Sequence, residues 1–526
     1  MEPYYTSVIA LGNQIFLRWI EDGKRHMKRV EYSPKIYVRA KGKGCGMKSL
    51  HGHDLEVLPM DSMRDARDYV KRYKDIDGYK MYGTLEFDAA FIAEYFPQKI
   101  EFDMSHIRVA DIDIEVFTGS INDDGSIQEG PFPDPKYALY PVNAITFHDS
   151  FTDTFYAFGL EEFMGKKLGT YVHDKSCPKV GHLNVKYMGF KTEEALLKAF
   201  LAMWSEMKFD VYTGYNTTTF DTPYLTNRIK QILGDGAEKQ LSPWKIVNMR
   251  TFQNMYGEQL SCEWYGIEEL DWLDLYKKFS FESPLSYKLG TVGNKVVGET
   301  KISYEEAGTL NKLYALDYQK FLTYNIKDVD LVRRMDKARG YIHLAMSIAY
   351  MTKSNYRDAL ATVKPWSNLI YDMLNKKGIV PDMPRIFQGE FELMGGFVKQ
   401  PKEGFYKWVI SFDLNSLYPH IMKLLNLGPE TLVERKDLPE EIKAAFPTSI
   451  DPDYVLDGKL QTALLEKYDL AVSAKGHFFK RTNKSIFHEK VEEIYSVRAS
   501  VKKEMKKKEQ RIEDIKVELK NRGVTV

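Results

Sequence analysis

Three acidic residues at alternate positions of one apolar run have the types and spacing to bind a metal ion. In DIDIEV, the carboxylates of Asp111, Asp113 and Glu115 fall at every second residue, and side chains of a β-strand alternate between its faces. The three would project from one face, where like charges repel unless they are solvated or bound to a cation. Because every ligand atom is oxygen, a hard divalent ion such as Mg²⁺ or Mn²⁺ is the expected partner. A solvent-facing edge strand with surface acids explains this one pattern equally well.

Two later segments bring further carboxylates together with other polar groups. The stretch TGYNTTTFDTPYL (213–225) places Asp221 where a loop enters a helix. In YNIKDVDLV, Tyr324 and Asp328 lie four residues apart, and therefore on one face of a helix. Taken alone, such a Tyr/Asp pair is more typical of a surface hydrogen bond. The order and wide spacing of all three acidic segments favour a shared site.

This set of groups suits the hydrolysis of a phosphodiester. The reaction needs a hydroxide near neutral pH and stabilisation of charge on the attacking and leaving oxygens, and two metal ions roughly 3.5–4 Å apart supply both. Carboxylates can hold the ions, while a tyrosine hydroxyl can fix the angle of the water. No serine, cysteine or histidine nucleophile is required, and the histidines form no metal-binding motif such as HExxH.

The order DIE, then N-x₃-F-D, then Y-x₃-D resembles the motifs of DnaQ-like 3′–5′ exonucleases, and more specifically the proofreading domain of family B DNA polymerases. The resemblance implies an RNase H-like (DnaQ-like) fold with a mixed sheet. It implies two bound Mg²⁺ or Mn²⁺ ions, and the ligands would be Asp113, Glu115, Asp221 and Asp328. Tyr324 would orient the attacking water, and Asn216 and Phe220 would touch the frayed 3′ end. Asp111 falls outside the D-x-E pattern and is not counted as a ligand.

A further acidic motif follows a predicted strand in YKWVISFDLNSLYPHIM (406–422). The pattern predicts a strand over 406–414 that Asp413 closes, then a tight turn into a helix. The amides of Leu414 to Tyr418 would form an anion-binding turn, which suits a metal-bound triphosphate. An aspartate N-cap before a Tyr-Pro helix start is the alternative.

The run D-L-N-S-L-Y-P-x-I resembles motif A of family B DNA polymerases, most closely those of large tailed phages. The resemblance implies that Asp413 is one of two metal-binding palm aspartates and that Tyr418 stacks under the incoming sugar and excludes a 2′-hydroxyl. The implied nucleotide-binding residues of this motif are Leu414, Asn415, Ser416, Leu417 and Tyr418. GGFVKQP (395–401) is similar to the family's linker between exonuclease and palm. The segment 241–257 would carry a β-hairpin that helps to separate primer from template.

Two further motifs of this family, K-x₃-N-S-x-Y-G and Y-x-D-T-D-S, are absent from the sequence. One palm aspartate cannot hold two ions on a triphosphate, so the resemblance implies a second chain that supplies both motifs. From Phe487 onward, a charged stretch without internal Pro or Gly predicts one long helix with an uneven apolar stripe. Its V-R-A-S-V-K resembles the first fingers helix, where Arg498 and Lys502 would face the triphosphate. A solvated tail or a coiled-coil arm is the alternative for this helix.

The composition is that of an ordinary soluble globular protein, with 44% hydrophobic and 28% charged residues. Equal numbers of acidic and basic residues, 74 each, exclude a wholly basic nucleic-acid coat but leave local basic patches open. The three cysteines form no CxxC pair or disulfide framework, which favours a reducing cytosol. No apolar run predicts a membrane span, and the first residues lack the pattern of a signal peptide.

We therefore expect a multidomain α/β protein, since 526 residues exceed what one core accommodates. The expected domains are an N-terminal α+β domain (1–106), an exonuclease domain (107–337), a helical return to the N-terminal domain (338–383), a partial palm (384–484) and the first half of the fingers (485–526). The expected function is that of the N-terminal subunit of a split replicative polymerase, with two metal ions in each completed site. It would act on primer–template DNA and dNTPs in the cytoplasm, that of a host cell if viral, and would reach replisome proteins through the second subunit. The alternatives are a stand-alone 3′–5′ DNA exonuclease, a non-catalytic DNA-binding fragment and an artificial truncation.

Overall fold

The computed structural model describes residues 2–122, 126–254, 257–383, 400–414, 416–448, 450 and 452–522. Its contacts divide the chain into two units, Met1–Met47 with Leu55–Met383, and Lys48–Asp54 with Pro384–Val526. Within the described ranges, no helix combines the length and apolarity that a membrane crossing requires.

The N-terminal segment is rich in short strands. Its elements are β1 (Tyr4–Leu11), β2 (Gln14–Glu21), β3 (Lys24–Glu31), β4 (Lys35–Arg39), β5 (Lys48–Ser49), β6 (Leu55–Pro59), α1 (Met63–Tyr73), β7 (Met81–Tyr82), α2 (Phe87–Tyr95) and a 3₁₀ helix, Met104–His106. Strands β1, β2 and β3 form an antiparallel sheet, and β4 pairs with both β6 and β7 in another. The runs QIFLRWI and KIYVR, in which apolar residues recur, form β2 and β4.

The middle segment alternates strands and helices around one larger sheet. Its elements are β8 (Val109–Val116), β9 (Ser120–Ile121), β10 (Ile127–Gln128), β11 (Val142–Asp149), β12 (Thr154–Leu160), β13 (Glu162–Phe163), β14 (Lys166–Lys167), β15 (Val185–Phe190), α3 (Glu193–Met207), β16 (Val211–Thr213), α4 (Asp221–Leu233), a 3₁₀ helix (Ala237–Leu241), β17 (Val247–Asn254), β18 (Gly257–Trp264), β19 (Glu268–Glu269), α5 (Trp272–Phe279), α6 (Leu289–Val297), α7 (Leu310–Leu316) and α8 (Tyr318–Arg339). The six-stranded sheet has the order β15-β12-β11-β8-β16-β19. It is mixed, since β11 runs antiparallel to β8 and β12 while β16 runs parallel to β8. The predicted hairpin is present as the antiparallel pair β17–β18, but only β17 lies within the predicted segment 241–257, and β18 extends to Trp264.

Helices cover both faces of this sheet. Ile112 and Ile114 of β8 belong to a core shared with α3 and α4. Phe155 and Ala157 of β12 belong to a second core shared with α7 and α8. Because α8 also contacts β8 and β11, the alternate face of β8, which carries its acidic residues, is turned toward α8.

A helical segment then packs on the N-terminal strands. It contains α9 (Tyr341–Thr352), a 3₁₀ helix (Tyr356–Leu360), α10 (Lys364–Lys376) and β20 (Ile379–Val380). The buried Tyr5 hydroxyl donates to the carbonyl of Ser354 at 2.7 Å, and the Tyr350 hydroxyl donates to the carbonyl of Tyr5 at 2.7 Å. Pro365 lies in the first turn of α10, where its missing amide proton costs no helical hydrogen bond.

The second unit has a small core of its own and one long helix. Its further elements are α11 (Leu417–Leu424), β21 (Leu432–Val433), a 3₁₀ helix (Arg435–Asp437), α12 (Glu440–Ala445), α13 (Pro452–Leu456), α14 (Thr462–Lys467), β22 (Leu470–Val472), β23 (Phe478–Lys480) and α15 (Ile486–Asn521). Strands β21, β23 and β22 pair in that order. The predicted long helix is confirmed as α15, and the Ser485 hydroxyl caps it by accepting a hydrogen bond from the His488 amide.

The strand predicted over 406–414 is wrong. The described residues from 400 to 414 contain no strand or helix, so Asp413 does not close a strand. The side chains are exposed instead, Trp408 by 95% and Phe412 by 90%. A strand needs neighbours for its backbone hydrogen bonds, and no described residue of this unit pairs with the segment. The linker motif 395–401 lies outside the described residues, except for its last two.

Candidate active site

Carboxylates from two distant segments meet between β8 and α8. Asp113 and Glu115 project from β8, and Asp328 from α8. One oxygen of each lies within 4.8 Å of the others. Asp328 is buried, while Asp113 and Glu115 are partly buried. Among the described residues, this is the only such group of three that could hold a metal ion.

Asp221 stands beside this group. It is the first residue of α4, and its Oδ1 accepts a hydrogen bond of 3.1 Å from the amide of Ile114. Gly214 lies where the preceding loop crosses β8, because a Cβ there would come within 2.4 Å of the Ile112 carbonyl oxygen. The structure therefore groups three of the predicted metal ligands and places the fourth, Asp221, next to the strand that carries two of them.

The pKa of each of the four carboxyl groups is raised, so each stays protonated to a higher pH than usual. Burial, followed by repulsion from Glu115, Asp221 and Asp328, raises the pKa of Asp113 well above its ordinary value. Burial raises the pKa of Glu115 to about 8 and that of Asp221 to about 7. Burial also raises the pKa of Asp328, against the opposing charge of Lys301. A nearby cation would stabilise the ionised forms of these carboxyl groups.

The donor set fits a divalent ion. Oδ1 of Asp328 is buried and has no hydrogen-bond partner among the described residues, although a buried carboxylate oxygen normally has one. Asp113 Oδ2 accepts 2.7 Å from the side-chain amide of Asn325, which leaves its other oxygen for an ion. Oxygen donors of this kind match Mg²⁺ or Mn²⁺.

Tyr324 lies one turn before Asp328, as predicted, and a lysine that the sequence analysis missed contacts both. Lys301 Nζ donates to the Tyr324 hydroxyl oxygen at 2.8 Å and lies 2.5 Å from Asp328 Oδ2. Burial, with the charges of Asp328 and Glu115, raises the pKa of Tyr324, so its hydroxyl stays protonated. Burial lowers the pKa of Lys301, but the negative charges of Asp328 and Asp113, with the hydrogen bond to Asp328, outweigh burial and raise it well above its usual value. Lys301 comes from an irregular loop, so no periodicity marks it.

The two residues predicted to touch a DNA end lie at the entrance to α4. Asn216 has φ 68°, and its backbone N–H donates to Asp271 Oδ1 at 3.0 Å. The ring of Phe220 lies 5.6 Å from that of Phe132, centroid to centroid. Phe132 is 83% exposed and was also missed, because it lies in a polar loop. An aromatic pair with one exposed ring can stack on an unpaired base.

Asp111 takes no part in the carboxylate group, although it shares the strand face with Asp113. It is buried, and its Oδ2 lies 3.0 Å from Nδ1 of His148, its cross-strand partner. Nε2 of His148 lies 2.9 Å from Asp153. Burial lowers the pKa of His148, but its hydrogen bonds to the carboxylates of Asp111 and Asp153 outweigh burial and raise the pKa overall. The partner of Asp111 is thus the His148 ring.

The structure does not assemble the predicted nucleotide site around Asp413. Asp413 and Leu414 are exposed, Ser416 has φ 54°, and α11 begins at Leu417. Tyr418 is 80% exposed. Within the described residues, no group of carboxylates that could hold a metal includes Asp413. Asn415 lies outside the described residues.

The predicted triphosphate-facing residues Arg498 and Lys502 are exposed on α15. Helix α11 packs on the same helix, since the rings of His420 and Tyr495 lie 5.2 Å apart. The predicted contacts of Arg498 and Lys502 with a triphosphate stay predictions.

Two family models match this chain. The model described as DNA polymerase family B, exonuclease domain, matches residues 93–292, and that described as DNA polymerase family B matches residues 358–521. The chain belongs to the family B DNA polymerases. Asp113, Glu115 and Asp221 lie within the first match, whereas Tyr324 and Asp328 follow it.

Curated relatives agree with this assignment. The DNA-directed DNA polymerase of Enterobacteria phage T4 is 32% identical, covering 98% of this chain and 55% of the relative. That of Escherichia phage RB69 is 32% identical, covering 82% of this chain and 48% of the relative. The DNA polymerase delta catalytic subunit of Glycine max is 25% identical, covering 75% of this chain and 36% of the relative. This family B chain thus spans about half the length of the phage relatives that it matches.

Proposed function

We propose that this family B chain hydrolyses DNA from its 3′ end, with two divalent ions held by Asp113, Glu115, Asp221 and Asp328. The observation that carries the proposal is the meeting of Asp113, Glu115 and Asp328, with Asp221 of α4 beside them on the Ile114 amide. The mixed sheet with β8 at its centre supports an RNase H-like fold for this part. The family assignment and the match to the exonuclease domain support DNA as the substrate.

Different side chains around the carboxylates position the attacking water and the end of the DNA. When bound, the ions would supply a hydroxide near neutral pH and stabilise charge on the attacking and leaving oxygens. The Tyr324 hydroxyl, protonated and held by Lys301, fixes the angle of the attacking water. Phe132 and Phe220 stack on the terminal base, and Asn216 contacts the last nucleotide.

Digestion of a single strand tests this proposal. The purified chain with a 5′-labelled oligonucleotide and Mg²⁺ should produce a ladder that shortens one nucleotide at a time, and a chelator should stop it. Cleavage within the strand, or release of the labelled 5′ nucleotide first, would contradict a 3′–5′ exonuclease.

Lys301→Met should lower kcat about 100-fold or more, because removal of one preorganised donor costs that much in other active sites. Binding of DNA should change little, since the lysine contacts Tyr324 and Asp328. Single-turnover digestion measures the effect. Lys320→Met, which removes a lysine of α8 that pairs with Glu306 of the same loop as Lys301, is the matched control and should digest at the wild-type rate. Equal rates for the two variants would remove Lys301 from the site.

Magnesium should raise Tm more at pH 8.5 than at pH 6. The pKa values of Glu115 and Asp221 are raised to about 8 and about 7, so the folded, metal-free state binds more protons than the unfolded chain between about pH 4 and pH 8. Its stability therefore falls as pH rises through this range. Ions bind the deprotonated groups and stabilise in proportion to their affinity.

Thermal unfolding with and without Mg²⁺ at both pH values measures this difference. Glu115→Gln should reduce the pH dependence of the gain in Tm. The same gain at pH 6 and pH 8.5 in the wild-type protein would contradict a metal site built from these carboxyl groups.

We further propose that residues 405–418 are half of a polymerase site, which a second subunit with the K-x₃-N-S-x-Y-G and D-T-D-S motifs completes. The segment exposes a row of large apolar side chains, namely Phe405, Trp408, Val409, Ile410 and Phe412. Contiguous exposed apolar surface of this kind indicates an interface.

Helix α15 supports the same proposal. Its apolar stripe is exposed at Val497, Val501, Met505, Ile512 and Ile515, so a partner helix would cover it. Synthesis of DNA from dNTPs would then belong to the complex. A stand-alone exonuclease is not favoured, because the polymerase family model also matches residues 358–521.

A further inference from the structure

The loop that carries Lys301 has no regular structure of its own. It runs between α6 and α7, residues 298–309, without a helix or strand. An ammonium group must nevertheless stay in place against Tyr324 and Asp328 to act on them. Something outside the local backbone must therefore hold this loop.

A buried lysine on α8 holds the loop two residues before Lys301. Lys327 is 0% exposed, and its Nζ lies 2.8 Å from Glu299 Oε2 and 3.0 Å from Asp330 Oδ2. Arg334, two turns further along α8, places Nη1 2.5 Å from Glu299 Oε1. Both oxygens of the Glu299 carboxylate are thus bound to α8.

The energetics of this contact favour a fixed geometry. A buried lysine stays charged only when carboxylates surround it. The hydrogen bond from Lys327, together with Arg334, lowers the pKa of Glu299 to about 2, so the pairing persists at neutral pH. The charge of Asp330 is shared with Arg333, whose Nη2 lies 2.9 Å from Oδ1.

Helix α6 closes the other side of the loop. Gly293 lies so near that a Cβ there would come within 2.9 Å of the Glu299 carbonyl oxygen and 2.8 Å of a Leu331 methyl group. Only glycine allows this approach without displacement. The backbone at Glu299 is therefore confined between α6 and α8.

We propose that Glu299, clamped by Lys327 and Arg334, is a positioning residue that fixes where the Lys301 ammonium group lies in the carboxylate site. Helix α8 holds the loop at Glu299 and also carries Tyr324 and Asp328, the partners of Lys301. A single helix thus positions both the loop and the groups that Lys301 contacts. The inference rests on the proposed exonuclease function, and it adds residues that touch neither the proposed ions nor DNA.

The test compares Glu299→Gln and Lys327→Met in single-turnover digestion. Both variants should fold, because Arg333 still pairs with Asp330 in Lys327→Met and Arg334 keeps a partner in position 299. Each should lower kcat between about 10-fold and 100-fold, the cost of a reacting group displaced by about 1 Å, with KM for DNA unchanged. Glu306→Gln is the matched control, since Glu306 lies in the same loop but pairs with Lys320 at the surface, and it should digest at the wild-type rate.

A double-mutant cycle with Lys301→Met separates positioning from a general structural role. If the clamp acts through Lys301, neither variant lowers kcat further in the Lys301→Met background. Losses that multiply in the double variants, or a lower Tm without a lower kcat, would overturn the inference. A wild-type chain that digests no DNA would instead overturn the proposed function, before any variant is compared.

Discussion

Replacement of Asp113 and Glu115 by alanine should abolish digestion of DNA, with kcat at least about 1,000-fold lower and the fold retained. The two residues supply two of the three carboxylates that meet between β8 and α8, and the proposed ions would generate the nucleophile and stabilise the leaving oxygen. The variant should also be no less stable than the wild type without metal, since burial raises the pKa of both groups. Release of nucleotides and thermal unfolding, each with and without Mg²⁺, measure the two effects.

The control for this variant removes two acids elsewhere in the same segment. Asp174→Ala with Glu194→Ala changes exposed carboxylates and should leave digestion unchanged. Mg²⁺-dependent digestion that survives in the Asp113→Ala, Glu115→Ala protein would refute the assignment of these residues as ligands. Unfolding of that variant at moderate temperature would show that the two carboxylates are structural instead.

Asp413→Ala should leave digestion unchanged and eliminate DNA synthesis by the assembled complex. In the proposed split polymerase, Asp413 is one of two aspartates that hold ions on the triphosphate, and among the described residues no group of three possible metal ligands includes it. The exonuclease carboxylates lie in the other unit of the chain. Primer extension with dNTPs, after addition of a subunit with the missing motifs, measures synthesis, and digestion of the same primer without dNTPs is the internal control.

Asp457→Ala offers a matched change at another exposed aspartate of the same unit, and a complex with it should extend primers normally. Extension at the wild-type rate by the Asp413→Ala complex would refute the half-site. If the wild-type complex digests but never extends, the segment 405–418 has no part in synthesis.

The exonuclease carboxylates could be predicted because local periodicity determines where they point. Alternation along β8 places Asp113 and Glu115 on one face, and four-residue spacing in α8 places Tyr324 beside Asp328. The start of α4 at Asp221 was predicted as well. A long polar stretch without Pro or Gly sufficed for α15.

Contacts made by irregular loops could not be predicted in the same way. Lys301 and Phe132 reach the site from segments without periodicity, and their positions depend on partners distant in sequence, such as Lys327 for Glu299 two residues before Lys301. The prediction of a strand before Asp413 failed for a related reason. Its apolar pattern is that of a buried strand, but a strand forms only beside neighbours, and the described part of this unit supplies none.

Sulfur substitution at the scissile bond tests the central claim most directly. The substrate is an oligonucleotide in which sulfur replaces the 3′-bridging oxygen of the last phosphodiester, the atom on which charge develops as the bond breaks. If ions held by Asp113, Glu115, Asp221 and Asp328 contact that atom, Mg²⁺ should support much slower removal of the last nucleotide, and the softer Mn²⁺ should restore it. Rates relative to the oxygen substrate that are the same with Mg²⁺ and Mn²⁺ would contradict the account.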